Sequence, residues 1–371
     1  MIKLIKKYEL LINLGYHYAL SLASSIKRGV GVRNSYVFTS LIRYLSRYFT
    51  NIKIKALYKP NIKPSLKLFP FVLTKCCNEF QPLHMYLLCS AYFKIKVPEN
   101  SLTFLHYYFD LCLYNYNNFT IVEIPESIIE TAGYSARKRY GINLLRKEFS
   151  DRLRNAYAIT VPTMRDTLSY VSLGISPNKI YVIYNVFPFP FTLNEINEIV
   201  CRNKKNLSIV IDGWGNYESR IRLALKIIRI FPNIDRIYIT SAPASFTLYN
   251  GKIAVHSYLP RGRWLELLSK TSVFIFHPKI PWSGGHSVRL NDAALMGNII
   301  FGGEYELRGE PYPHTFTYLD ENDLIVKLHS ILNKQELYYM GLRNHEEAVK
   351  RYNISVRELE RLVDKVLQDI I

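Results

Sequence analysis

Pro281-Trp-Ser-Gly-Gly-His-Ser-Val-Arg-Leu-Asn-Asp-Ala-Ala-Leu-Met-Gly-Asn-Ile-Ile-Phe-Gly-Gly303 reads as a turn, a helix and a strand, in that order. The apolar run from Ser272 to His277 ahead of it reads as a buried strand. Adjacent glycines make the turn. Val288, Leu290, Ala293, Ala294 and Met296 then have the spacing of a short helix that Gly297 closes. Asn298 to Phe301 returns as another strand. Strand, glycine turn, helix and strand form one βαβ unit of a parallel sheet, which places the chain in the α/β class.

Such a turn leaves the amides of Gly284, Gly285, His286 and Ser287 at a helix N-terminus, where an anion is favoured. Arg289 in the first helical turn adds a fixed positive charge. Asp292, three residues on, shares its face and could accept hydrogen bonds from a vicinal diol such as a ribose. Together these residues suit a nucleoside diphosphate. They also admit a structural reading, in which the glycines only make the turn, Ser287 caps the helix and Arg289 pairs with Asp292.

The pattern Gly284-x-x-x-x-Arg289-x-x-Asp292-Ala-Ala-x-x-Gly297 resembles the donor-site signature of the "group 1" glycosyltransferases, large retaining enzymes of GT-B type. Aligned on Gly297, the second glutamate of that signature falls on Asp292 and the first on Gly284. A second match runs from Ala156-Tyr-Ala-Ile-Thr-Val-Pro-Thr163 through Leu173-Gly-Ile-Ser-Pro-Asn-Lys-Ile to Asn185. In the family this run ends the N-terminal domain. The resemblance is fair over residues 150–371 and thin before them.

What it implies is an α/β chain of two Rossmann-like domains facing across a cleft. Residues 1–187 would form the acceptor-side domain and 188–371 the donor domain, with the last helix packing back on the first domain. Pro188 and Pro190 mark the boundary. In the donor domain, Leu207-Ser-Ile-Val-Ile-Asp-Gly-Trp-Gly215 reads as the first strand and glycine turn, so Gly213 and Gly215 join the donor site. Arg220 is the candidate for a charge on the diphosphate, with Arg222 in reserve. Both are otherwise solvated helix residues.

Further towards the start, Met1 to Leu14 has apolar and basic residues at helical spacing and reads as a helix, packed or lying on a membrane. Tyr16 to Ala23 reads as a strand, followed by a loop with Gly29 and Gly31, a helix from Asn34 to Phe49, and a strand from Asn51 to Tyr58. In the family such a Gly-x-Gly loop borders the cleft. Ser101 to Phe109 and Thr120 to Ile124 read as strands. Family members end the second of these in His-Asp, where this chain has Pro125 and Glu126; His106 and Glu126 are the catalytic candidates.

The chain has 371 residues, 49% of them hydrophobic and 21% charged, which suits a folded protein with room for two cores. Its net charge is +18, and up to residue 190 there are 25 Lys and Arg against 10 Asp and Glu. Basic, aromatic surface suits an anionic membrane, a lipid-phosphate acceptor or nucleic acid. Cys76, Cys77, Cys89, Cys112 and Cys201 show no paired metal-ligand spacing and read as thiols of a cytoplasmic protein, with peripheral membrane association open. The P-loop and His-Glu-x-x-His patterns and an Asp-x-Asp pair are missing from the sequence, so neither metal nor cofactor is expected.

The reading is a metal-independent, retaining glycosyltransferase taking a sugar from a nucleotide-sugar donor. Its acceptor is not specified by the residues and could be lipid-linked or a protein. The alternative is a basic nucleic-acid- or polyanion-binding protein on a degenerate fold of this kind, without turnover.

Overall fold

The computed structural model describes residues 9–15, 18–19, 32–57, 99, 101–106, 118–124, 153–202, 207–213, 217–277, 288–303, 307, 311–332 and 336–370. The chain divides into one unit of residues 1–183 with 356–371, and a second of 184–355.

Short strands with apolar centres, such as Ser-Ile-Val-Ile-Asp and Val-Phe-Ile-Phe, are buried on both faces, as parallel sheets require. The first unit holds β1 (Glu9–Leu14), α1 (Val32–Leu45), β2 (Asn51–Ala56), β3 (Leu102–His106), β4 (Thr120–Glu123), β5 (Ala158–Val161), α2 (Met164–Val171) and β6 (Ile180–Val182). Its described strands form one parallel sheet in the order β2-β1-β3-β4-β5-β6. Ile12, Phe104, Ile121 and Tyr181 of the sheet pack against Phe38, Leu41 and Leu45 of α1. Each such side chain contributes about 1.5–3 kcal/mol through burial.

The second unit contains α3 (Leu193–Arg202), β7 (Ser208–Asp212), α4 (Tyr217–Ile230), β8 (Arg236–Ile239), β9 (Phe246–Leu248), β10 (Ile253–Val255) and α5 (Arg261–Ser269). It continues with β11 (Val273–Phe276), α6 (Val288–Leu295), β12 (Ile299–Gly303), β13 (Thr315–Tyr318) and α7 (Glu321–Leu332). The sheet order is β13-β12-β11-β7-β8-β10-β9, parallel except for β9, which pairs antiparallel with β10. Ile209, Ile211, Val273 and Ile275 pack under Leu223 and Ile227 of α4 and Leu324 and Leu328 of α7.

Gly297 closes α6 with φ +68°, a left-handed conformation that glycine adopts without strain. A second glycine meets it there. A Cβ on Gly341 would lie 2.2 Å from the Gly297 carbonyl oxygen, so only hydrogen fits at that crossing. Gly341 belongs to α8 (Leu337–Ile370), which begins in the second unit and ends in the first. There Leu362, Val363 and Val366 complete the core that β1 and β3 begin.

Two expectations near the start are corrected. Glu9 to Leu14 is a strand, not a helix, and it lies between β2 and β3. An apolar run this short fits either periodicity, and pairing on both sides decides it. Tyr18 and Ala19 are helical, not extended, with the Ala19 amide donating to the Gly15 carbonyl at 2.9 Å.

Candidate functional site

In a parallel α/β sheet the loops at the carboxyl ends of the strands carry the binding groups. β7 ends there in Asp212, whose side chain is fully buried. A buried carboxylate needs partners, and it has them. Thr240 Oγ1 donates to Oδ1 at 2.7 Å and Ser241 Oγ at 3.2 Å. Arg289, from the first turn of α6, donates through Nη1 to Oδ1 and Oδ2, each at 2.5 Å, and to Ser241 Oγ at 2.8 Å. Its guanidinium also lies 5.7 Å from the Trp264 ring centre, within cation–π range. Burial works against the Arg289 charge, but Asp212 outweighs it and holds the guanidinium above its usual range. Ser241 sits at φ 61°, a left-handed conformation that a residue with a side chain holds only where its surroundings enforce it.

Arg220 enters from α4 and is completely buried. Nη1 donates to the Gly213 carbonyl at 2.7 Å, and Nη2 to those of Thr240 and Ser241 at 3.2 and 3.3 Å. Its Nε makes no hydrogen bond. Burial lowers its pKa, Asp212 opposes that, and Arg289 adds to it. Arg220 is therefore a brace that fixes the β7 and β8 ends from inside, while Arg222 on the same helix is exposed.

Asp292 supports the charge of Arg289 electrostatically, but its hydrogen bonds run to other residues. Its two oxygens take Arg261 Nη2 at 2.7 Å and Nη1 at 2.8 Å, and Trp264 Nε1 donates to Oδ2 at 3.0 Å. Arg261 also donates from Nε to the Phe189 carbonyl at 2.7 Å and from Nη2 to the Phe187 carbonyl. With 1% of its side chain exposed, this carboxylate presents no face to a ribose diol. The i,i+3 spacing suggests a local pair, yet partners 77 and 31 residues away take both groups.

His277 follows β11, and its backbone N–H donates to the Asp212 carbonyl at 2.6 Å. Its Nδ1 lies 3.0 Å from the Tyr318 hydroxyl, which donates to the Phe276 carbonyl at 2.8 Å. Burial lowers its pKa, Glu321 opposes this, and Arg220 adds to the lowering.

Of the other predicted residues, Gly213 is buried beside Asp212. Gly215, Gly284, Gly285, His286, Ser287, Gly29, Gly31 and Glu126 lie outside the described residues. His106 ends β3, and its backbone pairs in register with Glu123 of β4. Sequence reasoning passed over Glu123, which is buried and accepts a hydrogen bond from Tyr18 Oη at 2.8 Å. It also passed over Asp212, Ser241 and His277. The signal for two of them was there: an acid or a histidine directly after an apolar strand. Among the described residues no group of three His, Cys, Asp or Glu could hold a metal ion, and no helix is long and apolar enough to cross a membrane.

No protein-family model and no curated protein matches the sequence. Solved structures do match. Sucrose-phosphate synthase from Thermosynechococcus elongatus gives a TM-score of 0.55 at 12% identity, covering 97% of this chain and 100% of that one. UDP-GlcNAc 2-epimerase from Neisseria meningitidis bound to UDP-GlcNAc gives 0.51 at 11% identity, covering 96% and 100%. At these identities the likeness is one of fold: α/β, with two Rossmann-like domains of GT-B type.

Proposed function

We propose that the chain is a glycosyltransferase whose second unit binds a nucleoside-diphosphate sugar and whose first unit receives the acceptor. The observation that carries this reading is Arg289, which stands at the N-terminus of α6 and is held at the sheet edge by a buried carboxylate. The group is fixed before any ligand arrives, so little reorganisation is needed when negative charge develops on a leaving diphosphate. The helix dipole adds its positive end at the same place. The charge of Arg289 is supported from behind by Asp212, so the cation is held in place at the edge where an anion would bind. Transfer without a metal and with retention of configuration rests on the family resemblance of the Gly284 to Gly297 pattern.

The test is a thermal-shift screen with UDP-, GDP- and ADP-sugars, followed by analysis of the sugar products. A raised Tm with one nucleotide series and a new glycoside supports the proposal. The fold likeness to an epimerase makes product analysis decisive, since an epimerised donor without a glycoside would replace transfer by isomerisation. If no nucleotide raises Tm, the reading is wrong.

A further inference from the structure

His277 stands at the carboxyl edge of the second sheet and is assigned no part above. Its hydrogen bonds fix which ring nitrogen carries the proton. The Phe276 carbonyl can only accept, so the Tyr318 hydroxyl proton points to it across 2.8 Å. The hydroxyl oxygen therefore meets His277 Nδ1, 3.0 Å away, as an acceptor, and Nδ1 must carry the hydrogen. The imidazole and the Tyr318 ring also lie nearly parallel, 20° apart with centres 6.3 Å apart, which holds the ring in place. That leaves the Nε2 lone pair on a half-buried imidazole beside Arg220 and Asp212.

A diphosphate at neutral pH has acceptors and no donors, so a lone pair cannot bind it. A hydroxyl can supply the missing hydrogen. We infer that His277, held in the Nδ1–H tautomer by Tyr318, accepts a hydrogen bond at Nε2 from a hydroxyl of the bound sugar nucleotide and discriminates among ligands by that hydroxyl. This rests on the proposal that the site binds a sugar nucleotide. Among the described residues, the charged and titratable groups acting on the imidazole are Arg220, Glu321 and Tyr318. Burial and Arg220 both favour its neutral form, the only form with a lone pair to offer.

Three probes isolate the contact: inorganic pyrophosphate, UDP, and UDP-glucose, or the matching nucleotide pair that the screen above selects. His277→Phe should leave pyrophosphate affinity unchanged and weaken the hydroxyl-bearing ligand about five- to tenfold. Loss confined to the nucleotide sugar places the hydroxyl on the sugar; an equal loss with the nucleotide alone places it on the ribose. In wild type relative to His277→Phe, affinity should fall as pH drops below the ordinary imidazole value, because protonation turns the acceptor into a donor.

Long-range proton–nitrogen correlation spectra of the labelled protein read the tautomer directly. They should show His277 protonated at Nδ1, and a mixture of tautomers in Tyr318→Phe. The inference is overturned by a proton on Nε2 at neutral pH, by equal weakening of pyrophosphate, or by unchanged affinity for all three probes. Wild-type protein that binds no nucleotide at all would instead remove the donor-site reading beneath it.

Discussion

Two arginines of the second unit each face a buried carboxylate, and they do so differently. Arg261 uses its whole fork, with Nε, Nη1 and Nη2 all bonded to Asp292 or to the carbonyls of Phe187 and Phe189. Arg289 meets both oxygens of Asp212 and the Ser241 hydroxyl with one nitrogen, Nη1. Its side chain is 24% exposed against 12% for Arg261. The same pair of residue types thus makes a three-nitrogen clamp in one place and, in the other, a more exposed cation that meets its carboxylate through Nη1. Geometry at the guanidinium separates the two, and residue identity does not.

Substitution should pull the two pairs apart. The largest effect belongs to Asp292→Ala, which strands the Arg261 charge and leaves Trp264 Nε1 without its acceptor. Chemical denaturation should show a loss of about 3–5 kcal/mol, with nucleotide affinity of the folded fraction unchanged. A change in affinity per folded molecule would mean that Asp292 serves the ligand after all.

Arg289→Ala should weaken nucleotide binding by about ten- to a hundredfold, roughly 1.4–2.8 kcal/mol by calorimetry. It also leaves Asp212 buried without its cation, so stability should fall by about 3 kcal/mol. Asp212→Asn in the same chain should recover most of the stability and none of the affinity. Recovery of both would reduce Arg289 to a second structural clamp.

Lysine sharpens the contrast further. Arg261→Lys should cost about 2–3 kcal/mol, because one ammonium cannot reproduce a three-nitrogen fork. Arg289→Lys should cost less than Arg261→Lys, since an ammonium keeps the charge and can take over the bonds that Nη1 makes to Asp212 and Ser241. Equal costs would erase the distinction.

The smallest effect is pH, which reaches the Arg289 side through His277. Burial, helped by nearby arginines, lowers the pKa of His277, His256 and His314 below the ordinary 6.5. The unfolded chain then binds more protons than the folded one in that window. Stability is full above about pH 6.5 and declines as pH falls towards the folded values. Melting curves between about pH 7.5 and 5.5 should drop by a few degrees, and His277→Asn should flatten part of the slope.

Much of this was legible in the sequence. β7, β11 and β12 announce themselves as apolar runs beside glycines, and the closing role of Gly297 follows from its place after the helix pattern. The partners of Arg289 and Asp292 were not legible. Local spacing offers them to each other, while the fold brings Asp212 and Arg261 from distant strands and helices. The strand at Glu9 was hidden for a related reason: six residues do not separate one period from the other until neighbours pair with them. Arg220 was singled out for its charge, and its burial as a brace depends on where α4 crosses the ends of β7 and β8.

The path of α8 has a consequence for synthesis. Leu362, Val363 and Val366 help fill the core around β1 and β3, so that core lacks these side chains until residues 184–355 have been translated. The second unit has all its residues by position 355 and can settle first. A fragment cut after residue 183 would leave that early core open to water, and a chimera that exchanges the first half must carry the final helical turns with it.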